Sequence, residues 1–181
     1  WHLLVLVLGM LGTMRDRNTK ANNTFFGEGI VAHIGFAEPI SPRLRSILAK
    51  AGCAEGADLH DGGTYVCMDG PAFSTKSESF YYRNLGFDII GMTNLPEAKL
   101  AREAEIALAT LGMVTDYDCW KEEHCAVDEI MRVMGENNKK VQKLIVQLIP
   151  DLVKNPITFK KENAVGVMTP KDVWTNEQKE W

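Results

Sequence analysis

Two carboxylates two residues apart are the strongest candidates for chemistry in this sequence. Asp116 and Asp118 follow the apolar run Ile106–Thr115, and residues two apart in an extended chain project to the same side. Two carboxylates held close together repel each other, so one of them tends to retain a proton. Such a pair suits general acid catalysis or a hydrogen bond to a protonated ring nitrogen, although solvated loop carboxylates or a helix cap show the same spacing.

A loop rich in turn residues offers an aromatic ring and a hydroxyl. The segment Gly70–Ser74 lies between a predicted strand and a predicted helix, so Phe73 and Ser74 could face a ligand there. The alternative is a structural turn that ends in a helix N-cap at Ser74 or Thr75.

Two further positions are candidate ligand contacts. Met92 and Thr93 precede a helix start, where backbone N–H groups and a hydroxyl can hold an anion such as phosphate, although capping also explains a threonine there. His33 lies within an apolar segment, where a histidine buried in the core is the alternative to a ligand contact.

Alternating strand and helix signals must position these residues. Strands are predicted at Gly29–Phe36, Thr64–Met68, Phe87–Met92 and Ile106–Thr115. The first predicted helix begins at Pro42, with Ser41 as cap and Gly52 as end, and the second runs from Lys76 to Gly86 with a Thr75/Glu78 capping box. A third helix is predicted from Asn94. A fourth is predicted from about Glu122, and Pro150 should bend or end it. In that last helix, Val141, Leu144, Ile145, Leu148 and Ile149 have the spacing of one apolar face.

This alternation predicts an α/β fold with a mixed, largely parallel sheet flanked by helices. Ligands bind such sheets at the carboxyl ends of the strands. All of the candidates above except His33 lie where predicted strands end, at 68–74, 91–93 and 115–118, which is why they are expected to meet.

Composition narrows the function further. The 181 residues are 45% hydrophobic with a net charge of −4, which is typical of one globular domain and argues against a nucleic-acid partner. The four cysteines include no CxxC pair and no Cys/His spacing of the zinc-finger kind, which indicates buried or free thiols in a reducing compartment. The apolar run Trp1–Leu11 is too short for a membrane span, which takes about 20 residues, and it lacks the features of a secretory signal.

The order of the motifs supports a more specific assignment. The run Gly63–Trp120, which contains GTYVCMDGPAFST, GMTNLPE and TDYDCW, resembles the methylthioadenosine phosphorylase family of trimeric purine nucleoside phosphorylases. The segment Asn23–Leu48, NTFFGEGIVAHIGFAEPISPRLRSIL, is also similar to that family. The resemblance covers about residues 13–150 and implies a purine nucleoside phosphorylase-like fold.

The resemblance implies phosphorolysis of 5′-methylthioadenosine to adenine and 5-methylthioribose 1-phosphate, a step of purine and methionine salvage. Inorganic phosphate is the co-substrate, and no cofactor or metal is implied. By resemblance, Asp116 engages purine N7 and Asp118 accepts a hydrogen bond from the 6-amino group. The remaining implied contacts are Phe73 stacking on the base, Ser74 lining its pocket, Met92 beside the ribose and Thr93 on phosphate.

The resemblance also implies a homotrimer in a cytoplasmic location, with the nucleus left open as a second one. His33 then reaches the 5′-substituent pocket of a neighbouring subunit, while Val127 and Ile130 line the methylthio pocket of their own.

The resemblance divides the chain into an atypical apolar segment at 1–12, a phosphorylase-like domain at 13–150 and a C-terminal tail at 151–181. The glycine-rich phosphate loop, Arg-His pair and further phosphate-binding turn of the family do not occur in the sequence. We therefore expect an N-terminally incomplete chain, a fragment whose own catalysis is impaired.

Two other functions fit the same residues. One is a purine nucleoside phosphorylase that acts on other nucleosides. In the 6-oxopurine enzymes of the family, Asn replaces Asp116 and Glu replaces Ser74, so the sequence favours adenine. The other is a non-catalytic, truncated paralogue that binds purines.

Overall fold

The computed structural model describes residues 6–7, 10–12, 24–27, 29–54, 58–122, 126–157 and 163–179. Their strands are β1 (Leu6–Val7), β2 (Met10–Gly12), β3 (His60–Asp61), β4 (Thr64–Cys67), β5 (Ile89–Gly91) and β6 (Leu111–Gly112). The helices are α1 (Pro42–Ala54), α2 (Lys76–Asn84), α3 (Asn94–Glu103), α4 (Val127–Lys154), α5 (Asn163–Gly166) and α6 (Asn176–Lys179), with a 3-10 turn at Lys171–Val173.

The described strands form two small sheets of mixed, largely parallel character, which confirms the predicted fold class. One sheet has the order β3-β1-β6, with β1 parallel to β3 and antiparallel to β6. The other has the order β2-β4-β5 and is parallel throughout. The apolar start of the chain thus contributes a strand to each sheet, as short runs of Leu and Val readily do.

Two of the predicted strands are wrong in extent. Segment 29–36 is extended but makes only an isolated bridge, Ala32 to Val167, and its residues alternate between exposed and half-buried. The apolar segment is therefore not a buried strand, and it contacts the C-terminal part of the chain through the bridge from Ala32 to Val167. Within 106–115, only Leu111–Gly112 is strand, and it pairs with Leu6–Val7 of β1.

The helix starts agree with their capping signals. The Ser41 hydroxyl accepts a hydrogen bond from Leu44 N at 3.3 Å, and α1 begins at Pro42 as predicted. The helix continues beyond Gly52 to Ala54, so Gly52 is not its end. A Cβ at Gly52 would lie 2.9 Å from Leu59 Cδ1, which shows that close packing explains this glycine.

Helix α4 differs from its prediction at both ends. It begins at Val127 rather than near Glu122, and it continues through Pro150 to Lys154. A proline removes one backbone donor, but Leu148 and Leu152 on either side of it pack in the same core cluster and hold the helix together. Of the two predicted effects of Pro150, ending the helix is therefore wrong, and bending it stays a prediction.

The core consists of two clusters of buried side chains. Leu144 and Leu148 of α4 pack on Leu48 of α1, while Ile145 and Ile149 of the same predicted face stay about half exposed. The second cluster, Tyr65, Cys67 and Leu95, joins β4 to α3 and supports the candidate site. In the described part of the chain, none of the helices has the length and apolar character needed to cross a membrane.

Candidate active site

A cavity of about 840 Å³ lies where β4 and β5 end and where the chain continues after β6. Parallel pairing aligns Cys67 with Gly91, so the loops that follow these two strands leave the same edge of the sheet. Six of the residues singled out from the sequence line this cavity: Phe73, Ser74, Met92, Thr93, Asp116 and Asp118.

The two aspartates lie three or more residues beyond the end of β6, in a loop rather than at a strand end. The Thr115 hydroxyl donates to Asp116 Oδ1 at 2.6 Å, and Cys119 N donates to Asp118 Oδ1 at 2.9 Å. Tyr117, which lies between them, lines the cavity too, so the strict alternation expected of a strand does not hold here. Among the described residues, these bonds use one oxygen of each carboxylate and leave the other for a ligand.

In the loop before α2, one residue caps the helix and the two residues before it line the cavity. Thr75 is the N-cap, and its hydroxyl accepts from Glu78 N at 3.2 Å while Thr75 N donates to the Glu78 carboxylate. Ser74 is therefore not the cap. Its hydroxyl donates to Met68 Sδ at 3.7 Å, and neighbouring Phe73 is 83% exposed in the cavity wall, as a ring that stacks on a flat ligand must be.

The start of α3 forms another part of the wall. Thr93 is the N-cap, yet its side chain makes no capping hydrogen bond, so capping does not explain this threonine. The N-terminal N–H groups of a helix favour an anion, which fits the phosphate contact expected of Thr93. Thr93 and Met92 are adjacent and both line the cavity, so the two contacts predicted for them would lie side by side.

Tyr65, absent from our candidate list, also reaches this helix start. Its ring packs over Gly91 so closely that any Cβ at Gly91 would collide with the hydroxyl. Burial raises the pKa of the Tyr65 phenol, an effect that the backbone N–H groups of Thr93 and Asn94 partly oppose. The pattern TYVCM indicated only a strand, and the position of the hydroxyl depends on the tertiary structure.

Asn94 connects two walls of the cavity. It is only 3% exposed, and its Oδ1 accepts a hydrogen bond from the Thr110 hydroxyl at 2.8 Å. This bond ties the first turn of α3 to the segment that leads into β6 and on to the aspartates. Sequence reasoning missed Asn94 because its type and position indicated only a helix start.

Three predicted residues lie outside this cavity. His33 is exposed and borders a separate depression of about 320 Å³, together with Arg102 and Asn163. Val127 is 73% exposed and Ile130 half-buried, both in the first turns of α4 and neither in the wall of the large cavity. Within the described residues, no group of three or more His, Cys, Asp or Glu could hold a metal ion.

The sequence and the structure are both similar to those of known proteins of one family. Residues 12–150 match the family model of the phosphorylase superfamily. The S-methyl-5′-thioadenosine phosphorylase of Bradyrhizobium diazoefficiens is 54% identical over 138 residues, which are 75% of this chain and 47% of that protein. The enzyme of the same name from Synechocystis is 51% identical over 164 residues, which are 87% of this chain and 50% of that protein.

Solved structures agree with these relatives. A methylthioadenosine phosphorylase from an Antarctic soil metagenomic library has a TM-score of 0.87 and 37% identity, covering 98% of this chain and 63% of that chain. The Schistosoma mansoni methylthioadenosine phosphorylase in complex with adenine has a TM-score of 0.79 and 29% identity, covering 96% and 68%. The chain spans about half the length of the curated relatives it matches. It belongs to the phosphorylase superfamily.

Proposed function

We propose that this protein acts in the phosphorolysis of S-methyl-5′-thioadenosine to adenine and 5-methylthioribose 1-phosphate. The observation that carries the proposal is that three separate segments contribute Phe73 and Ser74, Met92 and Thr93, and Asp116 and Asp118 to one cavity. An aromatic ring, an anion-binding helix start and a carboxylate pair are the groups that a purine nucleoside and phosphate require. The similarity to phosphorylases of that name supports the choice of substrate.

In the proposed reaction, a phosphate oxygen forms a bond to the anomeric carbon while the bond from that carbon to purine N9 breaks. The electron pair of the broken bond moves into the purine, and Asp116 donates its proton or a hydrogen bond to N7. The transition state resembles an oxocarbenium ion, so stabilising negative charge on the departing base lowers the barrier. Phe73 holds the base in plane, Met92 contacts the ribose and Thr93 contacts phosphate.

Asp118 sets the preference for adenine. A carboxylate accepts a hydrogen bond from a 6-amino group, whereas it repels the carbonyl of a 6-oxopurine. Its Oδ1 is already engaged by Cys119 N, which orients the side chain toward the cavity that it lines.

The proposal extends to the assembly. A homotrimer in the cytoplasm, with small-molecule substrates and no organic cofactor, metal, membrane or nucleic-acid partner, is the expected working form. His33 lies on the surface, away from the large cavity of its own chain, which is where a residue must lie to enter a neighbour's site. In the trimer, His33 approaches the 5′-substituent from the neighbouring subunit, and Val127 and Ile130 line the methylthio end of the pocket.

Calorimetric titration of this chain with adenine and with hypoxanthine tests the assignment. We expect adenine to bind more tightly, and Asp118→Asn to weaken adenine binding by about 10- to 100-fold, the effect of losing a hydrogen bond to a charged group. Asp151→Asn, an exposed carboxylate of α4 outside the cavity, is the matched control and should leave the affinity unchanged.

Adenine release from methylthioadenosine with phosphate is the second measurement. Tighter binding of hypoxanthine, with faster release from inosine, would instead assign a purine nucleoside phosphorylase of other preference. Adenine binding without any phosphate-dependent release would assign the non-catalytic purine-binding function to this chain.

A further inference from the structure

The loop that carries the two aspartates has anchors at both ends. At its start, the buried Asn137 of α4 donates from Nδ2 to Val114 O at 3.0 Å. Further along, Cys119 Sγ donates to Ser74 O at 3.4 Å and Lys121 N donates to Asp118 O at 3.1 Å. Side chains take part in both anchors, because Asn137 holds Val114 at the start of the loop and Cys119 holds Ser74 further along.

Two cationic and two aromatic side chains form a row along this loop, with the aromatic rings between the two cations. The Arg83 guanidinium carbon lies 3.9 Å from the centre of the Trp120 ring, and Tyr117 meets Trp120 edge-on with ring centres 5.4 Å apart. Lys121 Nζ lies 4.2 Å from the Tyr117 ring centre, at the other end of the stack. We name these four residues the aromatic stack.

The aromatic stack joins the loop to a rigid element. Arg83 belongs to the last turn of α2, whose first turn is fixed by the capping box next to Ser74 and Phe73. Tyr117 lies between Asp116 and Asp118, so a ring held against Trp120 restricts the backbone torsions of both aspartates. Arg83, Trp120 and Tyr117 all line the cavity, and a displacement of the stack would therefore change its shape.

We propose that Arg83 and Trp120 are positioning residues that hold Asp116 and Asp118 in the geometry required for the purine. The inference rests on the proposed function, because it names the groups that fix the base-binding loop of that same site. A cation over an aromatic face is attracted by the ring quadrupole, and the planar Arg guanidinium suits this contact better than an ammonium group does.

Five variants separate positioning from a general effect on folding. Arg83→Met removes the cation while leaving a long side chain, and Arg83→Lys retains the charge at the end of α2. Trp120→Leu removes the ring, and Trp120→Phe retains an aromatic face. Arg43→Met, an exposed arginine of α1 that does not line the cavity, is the matched control.

Two measurements follow for each variant. Calorimetry should show adenine binding weakened about tenfold by Arg83→Met and by Trp120→Leu, with smaller losses of affinity in Arg83→Lys and Trp120→Phe. The double variant Arg83→Met/Trp120→Leu should bind no worse than Trp120→Leu alone, because Trp120→Leu already removes the contact that Arg83→Met removes. Amide hydrogen exchange without ligand should rise in residues 115–121 for Arg83→Met but not for Arg43→Met.

The two measurements can fail separately. If adenine binds the unmodified chain and Arg83→Met changes neither affinity nor exchange in 115–121, the positioning role is wrong. If exchange rises as expected but the unmodified chain binds no adenine, the stack does hold the loop and the proposed function is what fails. Losses that add up in the double variant would also contradict the proposal, since independent effects add.

Discussion

At the scale of single residues, neighbouring side chains in the site have different roles, one capping a helix and the next lining the cavity. Thr75 caps α2, which frees Ser74 to face the cavity, and Thr93 stands at the start of α3 without using its hydroxyl for capping. Sequence reasoning could name all three positions because hydroxyl residues gather at helix starts. The Thr75/Glu78 spacing predicted the cap of α2, whereas the sequence did not indicate that the Thr93 hydroxyl makes no capping bond, since that depends on the local backbone geometry.

Tyr65 shows a residue effect that no local pattern indicates. Its hydroxyl stands over Gly91 and beside the first amides of α3, in the place where an anion would be expected. A phenol is already neutral at physiological pH, and burial raises the pKa of Tyr65 further, so this side chain adds no competing charge to the site.

A titration of tyrosine absorbance at 295 nm tests this description of Tyr65. Because burial raises the pKa of Tyr65 above the ordinary phenol value of 10.0, one of the tyrosines should ionise at higher pH than an ordinary phenol. Tyr65→Phe should remove that late component, whereas Tyr81→Phe, on the exposed side of α2, should leave it in place. A late component that survives in Tyr65→Phe would contradict the description.

The same shift has a consequence for stability against pH. A group whose pKa is higher in the folded than in the unfolded state contributes stability below its unfolded pKa and loses it as the pH rises through the folded pKa. Tyr65 therefore costs the folded state stability only above about pH 10, and this cost should be absent from Tyr65→Phe.

At the scale of elements, helices followed their sequence signals more faithfully than strands did. The starts of α1, α2 and α3 were predicted because caps and capping boxes act within four residues. Strands such as 106–115 were overestimated because a strand exists only where a partner offers backbone groups to pair with. The extent of β6 is thus a property of β1 as much as of its own residues.

The capping box of α2 gives a measurable stability contribution. Thr75→Ala should lower the free energy of unfolding by about 1 kcal/mol in urea denaturation, because Glu78 N loses its acceptor. Ser77→Ala, the same kind of truncation two residues further into the helix, should have a much smaller effect. Equal losses for the two variants would show that the box does not stabilise the helix.

At the scale of the whole molecule, the exposed apolar side chains of α4 and of the region near His33 are consistent with association between copies of the chain. Several large apolar side chains are more than 60% exposed on α4: Val127, Met131, Val146 and Val153. Met168 and Val165 near His33 are also exposed. In the proposed trimer, part of this surface lies between subunits, and a site on one chain is completed by His33 of the next.

Light scattering and ligand binding test this arrangement together. The expected particle has three times the chain mass of 20.2 kDa. His33→Ala should weaken binding of methylthioadenosine about tenfold, the effect of losing one hydrogen bond or close contact, while adenine, which lacks the 5′-substituent, keeps its affinity. A monomeric particle, or an equal loss for both ligands, would argue against the trimeric site.

The amino-acid sequence by itself determined the fold class, the starts of α1, α2 and α3 and the family motifs around Phe73, Met92 and Asp116, because periodicity, capping and motif order are local properties of the chain. Only the tertiary structure decided which of the candidate residues meet in one cavity, placed Tyr65 and Arg83 beside them, and left His33 and Val127 outside. The physical reason is that residues distant in sequence, such as Ser74 and Cys119 or Arg83 and Trp120, come together only when parallel strands and packed helices bring their ends to one edge of the sheet.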